Sequence, residues 1–194
     1  MLDAIKVLRE KTSAGIMDCK KALKESSGDI DKAIEILRKK GIKLASEKSS
    51  RAAKDGKVES YIHMNGRIGV LVEINCETDF VARNDEFKQF AKNIAMQIAA
   101  ARPVYVKKDD IPEAILEKEK EILSSTIKGK PKAALEKIVV GKLEKYYEEA
   151  CLLDQPFVKD PKTKIQDLLQ SLIVKMGENI VIRRFERYQL GEKV

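Results

Sequence analysis

The chain has 194 residues and a formal net charge of +7, with 43% hydrophobic and 36% charged residues. This length and composition allow one large hydrophobic core or two modest domains. No apolar stretch reaches the roughly 18 residues that a membrane span needs, so we expect no membrane partner. The first residues, 1–11, alternate apolar and charged side chains and lack the continuous apolar region of a secretory signal.

The cysteine content indicates a cellular compartment. The three cysteines, Cys19, Cys76 and Cys151, are odd in number and far apart in sequence. A disulfide framework normally uses an even number, so this pattern is typical of a reducing compartment. We therefore expect the protein in the cytoplasm, with no disulfide bonds.

The positive charge is concentrated near the start of the chain. Residues 1–57 contain 15 Lys and Arg against 9 Asp and Glu, whereas residues 58–194 contain 23 against 22. A basic surface attracts nucleic acid or an acidic protein face. Residues 1–57 have no Phe, Tyr or Trp, which disfavours single-strand binding, because such proteins stack bases on aromatic rings. A helix that reads double-stranded DNA stays open, but a solvated basic face is simpler, and we expect no direct nucleic-acid partner.

The N-terminal part of the sequence predicts three short helices. The first covers about residues 3–11, and Thr12 or Ser13 can cap the second. Asp29 is a good N-cap for the third helix, and Gly41 is expected to end it. Its apolar stripe at i, i+3, i+4 and i+7 consists of Ile30, Ala33, Ile34 and Leu37. Helices this short are unstable alone, so the three must share a core.

A linker and a hairpin follow the three helices. Residues 42–56 have few apolar side chains, which is typical of a helical or flexible linker, and we place a domain boundary near Asp55. The predicted domains are therefore 1–54 and 55–194. Beyond the boundary, Asn65-Gly66 predicts a tight type I′ turn between two strands. The returning strand carries an apolar face made of Ile68, Val70, Val72, Ile74 and Cys76.

Helical patterns dominate the middle of the second domain. One stripe consists of Phe87, Phe90, Ala91, Ile94 and Ile98. Pro112 suits the first turn of a helix that runs to about Ile127, and Pro131 suits one that runs to about Tyr147.

The end of the chain predicts a loop at 152–161, a helix at 165–176 and a strand at 179–188. Helices grouped between strands, together with a hairpin, predict an α+β fold. We expect a three-helix N-terminal domain followed by a helix-rich core with a small antiparallel sheet.

Sequence motifs for covalent chemistry are missing. A Ser-His-Asp or Cys-His site would have to use His63, the only histidine, which lies next to the predicted turn. Zinc needs about four nitrogen or sulfur ligands, which dispersed cysteines and one histidine do not supply. No glycine-rich phosphate-binding motif occurs. We therefore predict no catalytic residues, no metal site and no cofactor.

Residues 75–84 form the most unusual segment, and they allow two interpretations. In the first, Thr78, Asp79 or Asn84 caps the following helix and Phe80 packs on its first turn. In the second, Asp79 and Phe80 project outward, and the ring anchors in a pocket of a partner protein. The local pattern alone slightly favours the capped junction.

Several segments together resemble the bacterial translation elongation factor Ts family. They are TSAGIMDCKKAL (12–23), GDIDKAIE (28–35), CETDFVA (76–82), QPFV (155–158) and the segment from GENI (177–180) to Phe185. These matches occur in the family's order and cover nearly the whole chain. The resemblance implies an N-terminal domain like the ubiquitin-associated three-helix module and an α+β core, in agreement with the predicted helices and hairpin.

The resemblance also implies a function, which is to exchange guanine nucleotide on the GTPase elongation factor Tu. Longer family members carry two related core modules and a helical dimerisation insert. This chain has room for one module, like the short thermophile-type members, which implies a homodimer formed through the 55–194 core.

The family's functional residues are implied at matching positions. Thr78, Asp79, Phe80 and Val81 match the segment that dislodges the Mg²⁺ of the GTPase. The implied partner-binding positions of the N-terminal domain are Lys6, Arg9 and Met17. Three alternatives stay open: a module that binds a ubiquitin-like domain through residues 1–41, a nucleic-acid-binding protein, and an enzyme.

Overall fold

The computed structural model of the chain describes residues 2–12, 14–125 and 132–192. The helices are α1 (Leu2–Thr12), α2 (Ile16–Glu25), α3 (Ile30–Lys48), α4 (Asp79–Arg83), α5 (Asp85–Ala101), α6 (Glu113–Ser125), α7 (Lys132–Ala150) and α8 (Ile165–Met176). The strands are β1 (Asp55–His63), β2 (Ile68–Cys76), β3 (Pro156–Phe157), β4 (Asp160–Lys164) and β5 (Val181–Gln189). β1, β2 and β5 form a sheet in the order β1-β2-β5, and β3 pairs with β4 in antiparallel orientation. The predicted α+β class is confirmed.

The chain forms two compact units. The first comprises residues 1–59, 73–91 and 167–183, and the second comprises 60–72, 92–166 and 184–194. β1, β2, β5, α5 and α8 each begin in one unit and end in the other. Within the described residues, no helix is long and apolar enough to cross a membrane.

The first three helices share a hydrophobic core, as their shortness requires. The core consists of Ile5, Leu8, Ala14, Cys19, Ala22, Leu23, Ala33 and Leu37, with Ala4, Ile30, Ile34 and Ile36 packed at its edge. Asp29 caps α3 as predicted, because its carboxylate accepts a hydrogen bond from the backbone N–H of Lys32 at 3.0 Å. Gly28 adopts a φ of +86°, which allows the sharp break between α2 and α3.

The predicted cap of α2 is wrong for Thr12, and Ser13 lies outside the described residues. The N-cap of α2 is Gly15, which has no side chain to accept a bond. The Thr12 hydroxyl instead donates to the carbonyl of Leu8 at 2.6 Å and accepts from the N–H of Ala14 at 3.3 Å. Thr12 is therefore the last residue of α1 and does not cap α2.

The prediction that Gly41 ends the third helix is also wrong, because α3 continues to Lys48. Gly41 is a buried helical residue, and a Cβ atom there would lie 3.3 Å from Cγ2 of Val174 on α8. Nη2 of Arg38 donates to both carboxylate oxygens of Asp167, also on α8, at 2.9 and 3.0 Å. The glycine therefore permits close packing of two helices.

The hairpin turn is wider than predicted. β1 ends at His63 and β2 begins at Ile68, and the N–H of Arg67 bonds to the carbonyl of His63 at 3.1 Å. Asn65 and Gly66 have the predicted positive φ values, but Met64 has one as well, at 50°. The apolar face of β2 is buried as predicted at Val70, Val72, Ile74 and Cys76.

The segment predicted as a loop at 152–161 is more ordered than expected. It contains a 3-10 helix (Leu152–Asp154), strand β3 and the start of β4. The reason is a pair of buried amides. The Gln97 amide donates to Oε1 of Gln155 at 3.1 Å, and its oxygen accepts from the N–H of Val158 at 2.8 Å. The last helix and last strand occur at the predicted places, whereas Ile127 and Pro131 lie outside the described residues.

The helix contact at Gly41 predicts a position-specific effect on stability. We expect Gly41→Leu to lower the free energy of unfolding by about 1–3 kcal/mol, because the new side chain must displace Val174. Gly141 of α7 is the matched control, since a Cβ atom there meets nothing within 4 Å. Gly141→Leu should raise the free energy of unfolding by up to about 1 kcal/mol through helix propensity. Urea unfolding measures both, and equal effects would contradict the proposed packing.

Candidate partner-binding loop

The loop of interest joins the end of β2 to α4 inside the first unit. Its last residue, Thr78, is the N-cap of α4 and has extended backbone angles (φ −132°, ψ 157°). The Thr78 side chain makes no capping hydrogen bond to the helix. Thr78 thus precedes a helix, as the capped-junction interpretation proposed, but its hydroxyl bonds to Glu178 and not to the helix.

Phe80 and Val81 have opposite environments. Phe80 is 82% exposed, whereas Val81 is 8% exposed and belongs to the buried hydrophobic residues. Phe80 therefore does not pack on the first turn of α4, as the capped-junction interpretation required. Asp79 forms an ion pair with Arg83 at 3.0 Å, one turn along α4. The ring of Phe80 therefore lies in solvent, and α4 packs against the core through Val81.

Two glutamates tie the loop to the segment that follows α8. Oε2 of Glu178 accepts the backbone N–H groups of Glu77 and Thr78, both at 3.1 Å, and its Oε1 accepts the Thr78 hydroxyl at 2.6 Å. In return, the Glu77 carboxylate accepts the N–H of Asn179 at 2.6 Å. We call these reciprocal bonds, formed by Glu77 and Glu178, the carboxylate clamp. Sequence reasoning gave neither glutamate a role, although Glu77 lies in the resembling segment 76–82 and Glu178 in the one at 177–180.

A further contact fixes the same stretch of backbone. The Cys76 thiol lies 3.2 Å from the carbonyl oxygen of Thr78, to which it donates. Burial raises the pKa of the Cys76 thiol to about 11, and the negative charge of Glu178 adds to this effect. The thiol is therefore protonated at neutral pH and available as a weak donor. All three cysteines are free and buried, as expected for a chain without disulfide bonds.

The candidate residues of the N-terminal helices are also on the surface of the first unit. Lys6 and Arg9 lie three residues apart on α1, so they share a helix face, and both are exposed. Neither forms an ion pair with another described residue. Met17 is 63% exposed near the start of α2. Since α1 packs against α2, the two cations and the methionine belong to one small helical module.

Groups for metal or acid–base chemistry are not assembled in the described part of the chain. His63 is exposed, stacks on Tyr61, and its Nδ1 lies 2.9 Å from the tyrosine hydroxyl. Among the described residues, no group of three or more His, Cys, Asp or Glu side chains could hold a metal ion. The arrangement suits recognition of another protein, with an exposed ring and free cations on a firm support.

The chain is similar to known proteins over nearly its whole length. The family model described as Elongation factor TS matches residues 3–192. Elongation factor Ts of Thermodesulfovibrio yellowstonii is 61% identical over 189 residues, which cover 97% of this chain and 94% of that protein. Elongation factor Ts of Thermotoga neapolitana is 58% identical over 192 residues, covering 99% and 98%. Elongation factor Ts of Carboxydothermus hydrogenoformans is 60% identical over 190 residues, covering 97% and 88%.

Proposed function

The chain belongs to the elongation factor Ts family of translation elongation factors, and from this premise we propose that it promotes release of GDP from elongation factor Tu. It does so by disturbing the Mg²⁺ and phosphate site of that GTPase, and it makes and breaks no covalent bond itself. The observation that carries the proposal is the 82% exposure of Phe80 on a short helix with a buried neighbour. We call Thr78, Asp79, Phe80 and Val81 the exchange loop. With this role in translation we propose a cytoplasmic location.

Nucleotide exchange has a thermodynamic requirement. A GTPase holds its nucleotide through phosphate-loop backbone groups and a Mg²⁺ ion that neutralises the phosphate charge, so spontaneous release is slow. An exchange factor must bind the nucleotide-free form more tightly than the nucleotide-bound form, because a ligand without such a preference shifts no equilibrium. By linkage, factor and nucleotide then weaken each other's binding by the same ratio.

Each residue of the exchange loop has a distinct part in this proposal. Phe80 is the wedge that separates helices beside the Mg²⁺ site of the partner. Asp79 holds the partner's loop. To do so it gives up its exposed ion pair with Arg83. Thr78 fixes the backbone through Glu178, and Val81 anchors the helix in the core of the first unit.

The N-terminal helices supply the second contact. We propose that residues 1–54 act as the binding module and that 55–194 form the core that carries the exchange loop. Lys6, Arg9 and Met17 then meet the GTPase domain near the guanine base. The two unpaired cations steer the encounter through long-range electrostatic attraction, and Met17 adds an adaptable apolar contact.

We further propose that the protein is a homodimer. The second unit exposes five large apolar side chains on β1, β2, β5 and their ends, which we call the sheet patch: Ile62, Met64, Leu71, Tyr188 and Leu190, each 49–68% exposed. Ile62 and Gly69 share one face, since a Cβ atom at Gly69 would lie 3.4 Å from Cδ1 of Ile62. A group of exposed apolar side chains on the strands of one unit is typical of a protein interface, and a second copy covers it with the same chemistry.

The wedge role predicts a large loss of activity from one truncation. We expect Phe80→Ala to slow stimulated GDP release from elongation factor Tu by about 30-fold or more, which corresponds to a hot spot of about 2 kcal/mol. Its free energy of unfolding should change by less than about 0.5 kcal/mol, because the ring is in solvent. Release of fluorescent GDP measures the effect. Val104→Ala, at another exposed apolar position, is the control, and normal exchange by Phe80→Ala would exclude the wedge.

The steering role predicts a charge effect that depends on position. We expect Lys6→Glu to slow association with elongation factor Tu several-fold at low salt and less at high salt. Lys39→Glu on α3 makes the same charge change at another exposed position. Stopped-flow association rates compare the two, and equal slowing by both variants would leave only net charge as the cause. Deleting residues 1–50 is a poorer test, because α3 also packs on α8 through Gly41.

The homodimer predicts that one charge in the sheet patch separates the subunits. Sedimentation should give a dimer for the unmodified protein at micromolar concentration and a monomer for Ile62→Asp, because the charge must be desolvated in the interface. Val104→Asp, exposed elsewhere on the second unit, should stay dimeric. A monomer before any substitution would rule out the proposed interface.

A further inference from the structure

We propose that Glu178 is a positioning residue for nucleotide exchange, which sets the orientation of the exchange loop from 100 residues away in sequence. This inference rests on the proposed exchange function of the loop. It adds a residue that touches neither the partner nor the nucleotide and that acts through the backbone N–H groups of Glu77 and Thr78 and the hydroxyl of Thr78.

The carboxylate makes three bonds at one point of the loop. Its Oε2 accepts two consecutive backbone N–H groups, those of Glu77 and Thr78, and its Oε1 accepts the Thr78 hydroxyl. Two backbone bonds and one side-chain bond define the direction in which the chain enters α4. Because bonds to an ionised carboxylate are stronger than neutral ones, the direction is held even at a solvent-exposed position.

Glu178 is itself held in place from both sides. On one side Gly177, with a φ of +74°, ends α8 and donates its N–H to the carbonyl of Ile173 at 2.9 Å. On the other side the N–H of Asn179 bonds to Glu77, and the Asn179 amide donates to the carbonyl of Arg51 at 2.8 Å. The glutamate therefore extends from a fixed helix end, and the bond to Glu77 closes the clamp.

The exchange loop depends on this clamp more than the fold does. α4 has five residues, too few for an independently stable helix, and its wedge is in solvent, where it makes no packing contribution. Among the described residues of α4, Val81 is the one whose side chain is buried, and a single packed side chain does little to fix the direction of the helix. Loss of the clamp should therefore misdirect Phe80 while the two units stay folded.

The test separates positioning from simple stability. For Glu178→Ala we expect GDP release at saturating factor to fall roughly tenfold to a hundredfold, as for a small misplacement of a reacting group. The dissociation constant for GDP-bound elongation factor Tu should change by less than about threefold, because the N-terminal contacts remain. Glu178→Gln should keep much of the rate, since its amide oxygen can still accept both backbone N–H groups. Glu117→Ala removes an exposed carboxylate of α6, outside the binding module, and is the control.

A second measurement reads the clamp directly and needs no GTPase. Amide hydrogen exchange followed by NMR should show faster exchange at Glu77 and Thr78 in Glu178→Ala than in Glu178→Gln. If Glu178→Ala does not fold, Thr78→Val and Thr78→Ser test the inference instead, because only valine lacks the hydroxyl that bonds to Glu178. Thr78→Val should then lower the maximal rate, and Thr78→Ser should preserve it.

The outcomes distinguish this inference from the proposed function. An unchanged maximal rate in Glu178→Ala, together with normal exchange protection, overturns the positioning role, and so does a lower midpoint of thermal unfolding with an unchanged rate. If Phe80→Ala loses activity and Glu178→Ala does not, the wedge stands and the positioning role fails. If Phe80→Ala keeps its activity, the proposed function fails first.

Discussion

A hydrophobic ring in water keeps a fixed position only if the backbone beside it is held by other groups. Phe80 is 82% exposed, so its own contacts do nothing to place it. The carboxylate clamp at Thr78 and the buried Val81 supply the constraint on either side of the ring. The end of β2 before the loop is buried at Ile74 and Cys76, which makes the support rigid. An exposed apolar residue with such support is typical of a residue that a partner protein buries.

The same unit also contains the N-terminal helices, and the length of α3 explains how. The helix passes through Gly41 without interruption, and its C-terminal half packs on α8. α8 ends at Met176, directly before Gly177 and Glu178 of the clamp. A continuous path of packed helices therefore connects the three-helix module with the base of the exchange loop. The two proposed events, binding at the module and insertion of the loop, thus involve one compact body.

Short-range features of this fold could be predicted from the sequence. The Asp29 cap, the buried face of β2 and the last helix depend on spacings of a few residues, which periodicity detects. Gly41 could not be predicted, because its helical role depends on Val174, far away in the chain. A glycine next to a polar segment predicts a helix end unless the helix that packs against it is known.

The candidate site, too, could be predicted only in part from the sequence. The resemblance of residues 76–82 to a known motif identified the exchange loop, although local chemistry favoured a capped junction. The role of Glu178 could not be predicted, since its bonds to Thr78 span 100 residues. In the sequence, a glutamate with such bonds looks the same as a solvated one. Local chemistry left the exposure of Phe80 open, because a ring at a helix start can pack on the first turn or project from it, and the resemblance favoured projection.

The clamp has an energetic consequence for exchange. Fixing a backbone residue costs about 1–2 kcal/mol, so four loop residues ordered only on binding would consume several kcal/mol of contact free energy. A loop that Glu77 and Glu178 hold beforehand avoids that loss. The saved free energy is then available for differential binding of the nucleotide-free GTPase, which is the only kind of binding that promotes release. A partner that must be deformed to admit Phe80 resists the ring, and a loosely held loop would yield before the partner does. Rigidity of the loop is therefore a condition for the wedge to act at all.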